Sequence, residues 1–185
     1  MRRGFKTEAN ALAQEVRAEM KLGPLDPLNP FQLAQLLEIP VWSLTEMQAH
    51  APAVAHLLHK ERSVFSAVTV FRGHERTIVH NDGHHQHRQH SNIAHELAHG
   101  LLLHPATPAL DDRGCREWNN DIEEEASWLA GVLLVTEEAT IEIAKGRWTK
   151  AEASTFFGVS QPMIQFRVNA TGAVVRVQRM QRWNR

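Results

Sequence analysis

Apolar residues Ala9, Leu12, Ala13, Val16 and Met20 recur at helical spacing after Thr7, so the chain opens on an amphipathic helix. Thr7 is placed to cap it, and Gly23-Pro24 stops the pattern. In LDPLNPFQLAQLLEIPVWSL, Asn29 precedes Pro30, which tolerates the first position of a helix because its missing N–H would be unbonded there anyway. That helix should end near Ile39-Pro40, with VWSL as a short strand. SVFSAVTVF and ERTIVHN are rich in β-branched residues and flank Arg72-Gly73-His74, a pattern that predicts a hairpin.

From Asn92 the period turns helical through about Leu103 and stops at Pro105. PATPALDDRGCREWNND is loop-like, and DIEEEASWLAGVLLV predicts a second, strongly apolar helix. Helices, then strands, then two more helices argue for an α+β fold with a small antiparallel sheet on the helix of residues 92–103. After Thr149 a helix–turn–helix pattern follows, with Ser160 as a cap and Pro162 in the first turn. From Ala153 onward there are five arginines and no acidic residue. The chain therefore divides into a main domain over 1–148 and a helix-turn-helix-like segment over 149–185 with an Arg-rich tail.

Composition narrows the class. The 185 residues are 43% hydrophobic and 22% charged, enough for one domain with a real core. A formal charge of −1 gives no general attraction to nucleic acid or to a membrane surface. No stretch approaches the roughly 20 apolar residues of a membrane span, and the first residues lack the apolar block of a secretory signal. The single cysteine, Cys115, excludes an internal disulfide, so a cytoplasmic, reduced setting is expected.

The candidate chemistry lies in HHQHRQHSNIAHELAHGLLLH, which holds seven of the twelve histidines. Within it, HELAH has the form H-E-x-x-H. Four residues of helix turn through about 400°, which puts His95 and His99 on one face, able to share a metal ion. Glu96 lies beside them as a general base for an attacking water. A catalytic zinc ordinarily takes three protein ligands. In the second helix Glu123 precedes Ala126 by three residues and shares its inward face, so it is the natural third ligand; Glu124 points elsewhere, and Glu125 is either a supporting partner or a rival. Zinc suits such N and O donors, although manganese or iron could substitute.

HELAHGLLLH followed by E-x-x-A-S-W-L-A-G-V-L-L resembles the ImmA/IrrE family of metallo-endopeptidases, whose second motif runs E-x-x-A-N-x-F-A-x-x-L-L-x-P. Further likeness lies in the early LDP and LAQLLEIPV stretches, in Asn81 and Arg88, and in the terminal FGVS. The resemblance implies a Zn2+ site of His95, His99 and Glu123, with Glu96 as catalytic base. It also implies a narrow protein substrate, commonly a helix-turn-helix repressor whose cleavage relieves repression. Ser127 stands where the family usually has Asn, Leu129 where it has Phe and Thr136 where it has Pro, all three read as packing positions. With no tyrosine in the chain, an oxyanion must be stabilised by histidine, arginine or backbone N–H groups.

The remaining histidines carry weaker signals. His84, His85, His87 and His90 are expected in a solvated loop, and His104 at the helix end, interacting with the last carbonyls. Cys115 is expected to be an unpaired loop thiol, and Trp118, Trp128 and Trp148 packing residues. Two readings compete with a peptidase: a DNA-binding regulator acting through the Arg-rich tail, with a structural or vestigial metal site, and an antitoxin-like protein that binds a partner without cutting it.

Overall fold

A computed structural model describes residues 1–51, 54–59, 65–105 and 119–183. Its elements run α1 (Phe5–Glu19), α2 (Pro30–Leu36), β1 (Val41–Ser43), α3 (Leu44–Gln48), α4 (Ala55–His59), β2 (Ala67–Arg72), β3 (Glu75–His80), α5 (Gln86–Leu101), α6 (Asn120–Leu134), α7 (Glu137–Ala144), α8 (Lys150–Phe157), α9 (Gln161–Ala170) and α10 (Ala173–Trp183). The fold is a mainly helical α+β arrangement around one small sheet.

The hairpin forms as expected, β2 antiparallel to β3 with Thr69 opposite Ile78, and Gly73 makes its turn at a φ of 62°. β1 then joins the other side of β3 in parallel, pairing Val41 with Ile78. The sheet order is β1-β3-β2, so the sheet is mixed rather than antiparallel. The parallel pairing is made by VWS, a strand too short to declare its direction from residue type.

Helix ends show how local chemistry sets the boundaries. Asn29 caps α2 by accepting from the Phe31 N–H at 2.9 Å, with Pro30 inside the first turn, as read from the sequence. Its other end closes at Glu38, whose φ is 55°, while the Ile39 N–H reaches back to the Ala34 carbonyl at 2.9 Å. Ser43 and Glu46 form a reciprocal capping box that starts α3, a helix the sequence reading did not include. Thr7 does not cap α1: the helix begins a turn earlier at Phe5, with Gly4 at its N-cap, because Phe5 is itself a core residue and draws the first turn inward.

The core joins α5 and α6. Ile93, Ala94, Leu97 and Ala98 on α5 meet Ala126, Leu129, Ala130 and Leu133 on α6, all buried. The small alanines on both faces let the two axes approach closely. The same apolar cluster continues through Phe157, Ile164 and Val168 to Ala173 and Val177. Leu129 is fully buried, consistent with its reading as a packing position. Thr136 does something else: its hydroxyl accepts from the Ala139 N–H at 3.0 Å and donates to the Pro24 carbonyl at 2.7 Å, so it caps α7.

Two buried arginines close the far end of α6. Arg17 donates to the Leu133 carbonyl at 2.9 Å, and Arg167 to the Val135 carbonyl at 3.0 Å. Both positive groups therefore lie at the negative end of the α6 dipole, satisfying carbonyls that lack helical partners. Gly131 makes room for one of them, since a Cβ there would lie 3.0 Å from Arg167 Cδ. Burial lowers the Arg167 pKa to about 10.

Trp128 and Trp148 pack as expected. Trp128 lies against the core with Lys6 Nζ 4.1 Å and the Arg167 guanidinium carbon 5.4 Å from its ring centre. Trp148 stacks on Phe156 with centroids 5.2 Å apart. The loop reading of residues 106–118, with Cys115 and Trp118, lies outside the described residues. Among those residues, no helix is long and apolar enough to cross a membrane.

Candidate metal centre

α5 begins at Gln86, about two turns before the apolar period becomes visible. His87 and His90 are therefore helical rather than in a solvated loop, and His85 occupies the N-cap. His90 is buried: its Nδ1 lies 3.1 Å from the Gly158 carbonyl, and its ring is 6.1 Å from that of Phe31, edge on. It thereby joins the start of α5 to the end of α8. Arg88 donates to Ser66 Oγ at 3.1 Å, and Asn81, fully buried, bridges the Phe65 carbonyl and the Gly83 N–H. These contacts fix the approach of α5 to the sheet.

On that platform His95, Glu96 and His99 project from the middle of α5, and Glu123 from the first turn of α6. His95 Nε2 lies 3.1 Å from His99 Nε2 and 3.2 Å from Glu123 Oε2, and the remaining edge, from His99 Nε2 to Glu123 Oε2, is 3.7 Å. Ligand atoms about 2.0–2.1 Å from a tetrahedral zinc are separated by about 3.3 Å. The observed triangle thus has the size of one face of a zinc coordination tetrahedron, and the three donors can hold one metal ion. Each of the three side chains remains about a fifth to a quarter exposed, at 25%, 21% and 18%.

The contacts that Thr69, Ser127 and His104 make with the triangle were not visible in the sequence. The Thr69 hydroxyl, on β2, donates to Glu96 Oε2 at 2.7 Å and aims the carboxylate. Ser127 Oγ lies 3.3 Å from His95 Nδ1, so this residue contacts a metal-binding candidate instead of merely packing. His104 does not follow the helix: Leu103 adopts a φ of 54°, the chain turns back, and His104 Nδ1 comes to 3.0 Å from His99 Nδ1. Burial holds His104 below the ordinary histidine range. Of the neighbouring acids, Glu124 is exposed and meets the amino group of Met1 at 3.1 Å, as its outward reading implied. Glu125 is buried outside the triangle, between Arg2 and His104.

A helix bearing H-E-x-x-H, packed against a second helix that brings a carboxylate to the two imidazoles, is the architecture of a metallopeptidase. The family model of the IrrE N-terminal-like domain, peptidase family M78, matches residues 53–169, and the chain belongs to that family. No curated protein matches the chain at a significant level.

Proposed function

We propose that the protein is a zinc-dependent endopeptidase in which His95, His99 and Glu123 bind the metal and Glu96 is the catalytic base. The observation that carries this reading is the triangle of donor atoms with edges of 3.1, 3.2 and 3.7 Å beside a carboxylate already held by a hydroxyl. The bound metal supplies Lewis acidity toward a peptide carbonyl and toward water. Glu96 takes the proton from the attacking water and delivers it to the leaving amine. Thr69 holds one oxygen of that carboxylate through its hydroxyl.

β2 supports the substrate side of the reading. Among the described residues it is an outer strand of the sheet, and its Thr69 reaches Glu96. An extended segment pairing along that strand would present its backbone carbonyls to the site. Such a substrate is a flexible or locally unfolded stretch of protein, and a linker in a helix-turn-helix repressor fits that description; cutting it would relieve repression. Arg167 is buried and Arg176 ion-pairs with Glu137, so these two arginines of the C-terminal segment are already engaged within the chain, which favours cleavage over direct DNA binding.

The test is a cleavage assay against the helix-turn-helix repressor encoded nearest the gene, with zinc supplied or chelated. Glu96→Gln should lower kcat by about 10²–10⁴-fold while zinc stays bound. Cleavage by Glu96→Gln at the wild-type rate would overturn the assignment.

A further inference from the structure

The end of α5 is built in an unusual way for its composition. Leu103 takes a left-handed conformation that costs a residue with a side chain about 1–2 kcal/mol, and its own side chain is 80% exposed, so packing does not compensate. The turn closes a helix-terminating motif in which the His104 N–H bonds to the His99 carbonyl at 3.0 Å. Its effect is to fold His104 back, so that its Nδ1 faces His99 Nδ1 at 3.0 Å. On the other side of the ring, His104 Nε2 points toward Glu125 Oε2 at 3.9 Å. Both side chains are only 10% exposed. The second oxygen of Glu125 accepts from the Arg2 N–H at 2.9 Å and lies 3.4 Å from the Arg2 guanidinium, which holds the carboxylate in place.

We propose that His104 and Glu125 are positioning residues that orient His99 toward the metal. The inference rests on the metal-site reading above. If His99 uses Nε2 as ligand, its proton is on Nδ1, and an acceptor is needed there. His104 Nδ1 is that acceptor, provided that His104 carries its own proton on Nε2, and Glu125 is the charge that favours this tautomer. The 3.0 Å contact with His104 restricts rotation of the His99 ring, while Glu125, at 3.9 Å, acts on His104 through its charge rather than through a hydrogen bond. His95 is held by a different device, the Ser127 hydroxyl at 3.3 Å. Partners of this kind typically contribute 10–100-fold to metal affinity.

Zinc affinity of the full chain, measured by competition with a chromophoric chelator, separates the outcomes, with thermal unfolding of the metal-free protein as a control for folding. His104→Leu should weaken zinc binding 10–100-fold while the metal-free protein melts as wild type does. His104→Asn, whose side-chain oxygen can take the place of Nδ1, should stay within a few-fold of wild type. Glu125→Gln should weaken binding in the wild-type background and have no further effect in His104→Leu, because it acts through His104. Unchanged affinity in His104→Leu, or additive losses in the double variant, would overturn the relay. A wild-type protein that binds no zinc would instead overturn the metal-site reading on which the relay depends.

Discussion

Arg167 is a buried cation whose contribution can be dissected by substitution. It is 1% exposed, donates from Nε to the Val135 carbonyl, and leaves its NH1 nitrogen buried without a partner among the described residues. The fall of its pKa from the ordinary arginine range to about 10 corresponds to a cost of roughly 3 kcal/mol for keeping it charged at neutral pH. Against this stand a charged hydrogen bond of about 1.5–3 kcal/mol and a cation–π contact with Trp128 of about 0.5–1 kcal/mol. The polar contributions nearly cancel, which leaves the apolar stem crossing Gly131 as the net stabiliser. Arg167→Met keeps that stem and should leave stability within about 1 kcal/mol of wild type, a result familiar for buried ions replaced by apolar groups of similar size. Arg167→Ala opens a cavity and should cost about 2–4 kcal/mol. Urea unfolding, followed by tryptophan fluorescence, gives both values. If Met proved as damaging as Ala, the charge on the end of α6 would be holding the fold, and this balance would be wrong.

Three further outcomes follow from other contacts. Thr69→Val removes the 2.7 Å hydrogen bond to Glu96 without changing side-chain shape, so kcat should fall about 10-fold or more with KM nearly unchanged; an unaltered kcat would exclude Thr69 from the machinery. Burial keeps the His80 and His90 pKa values below 6.5, so the unfolded chain binds protons there that the folded chain refuses. This contribution to stability is complete above about pH 6.5 and is lost as pH falls toward the folded values; the urea midpoint should drop between pH 7.5 and 5.5, and His90→Gln should flatten the drop. A slope unchanged by His90→Gln would remove that histidine from the titration. Gly158→Ala should cost more than about 1 kcal/mol, because φ there is 63° and the new Cβ would lie 2.8 Å from His90 Nδ1; a thermal melt identical to wild type would refute the close approach.

The candidate site was readable where its geometry follows from one helix or one apolar face. His95 and His99 come together through helical rotation alone, and Glu123 through its position on the buried stripe that also carries Ala126 and Leu129. The start of α5 was hidden because Gln86 to Ser91 are polar: His90 is buried by Phe31 and Gly158, partners remote in sequence. Thr69 and Ser127 were missed for a similar reason, since a small hydroxyl acquires a role only when tertiary packing sets it beside Glu96 or His95. Leu103 gave no warning, because left-handed residues are ordinarily glycine or asparagine. The capping box of α3 is different: Ser43 and Glu46 stand at the S-x-x-E spacing, a signal present in the residues themselves.

The donor triangle has a mechanical consequence beyond catalysis. Two donors sit on α5 and one on α6, with His95 and Glu123 separated by 28 positions in a chain whose single cysteine can form no internal disulfide. An ion held by all three would serve as a reversible cross-link, closing a loop whose covalent equivalent contributes about 3–4 kcal/mol. Parting the two helices and releasing the ion would then be one event. Hydrogen exchange in the facing turns of α5 and α6 would slow in step with zinc occupancy, and the supply of metal would set the lifetime of the closed helix pair along with the activity.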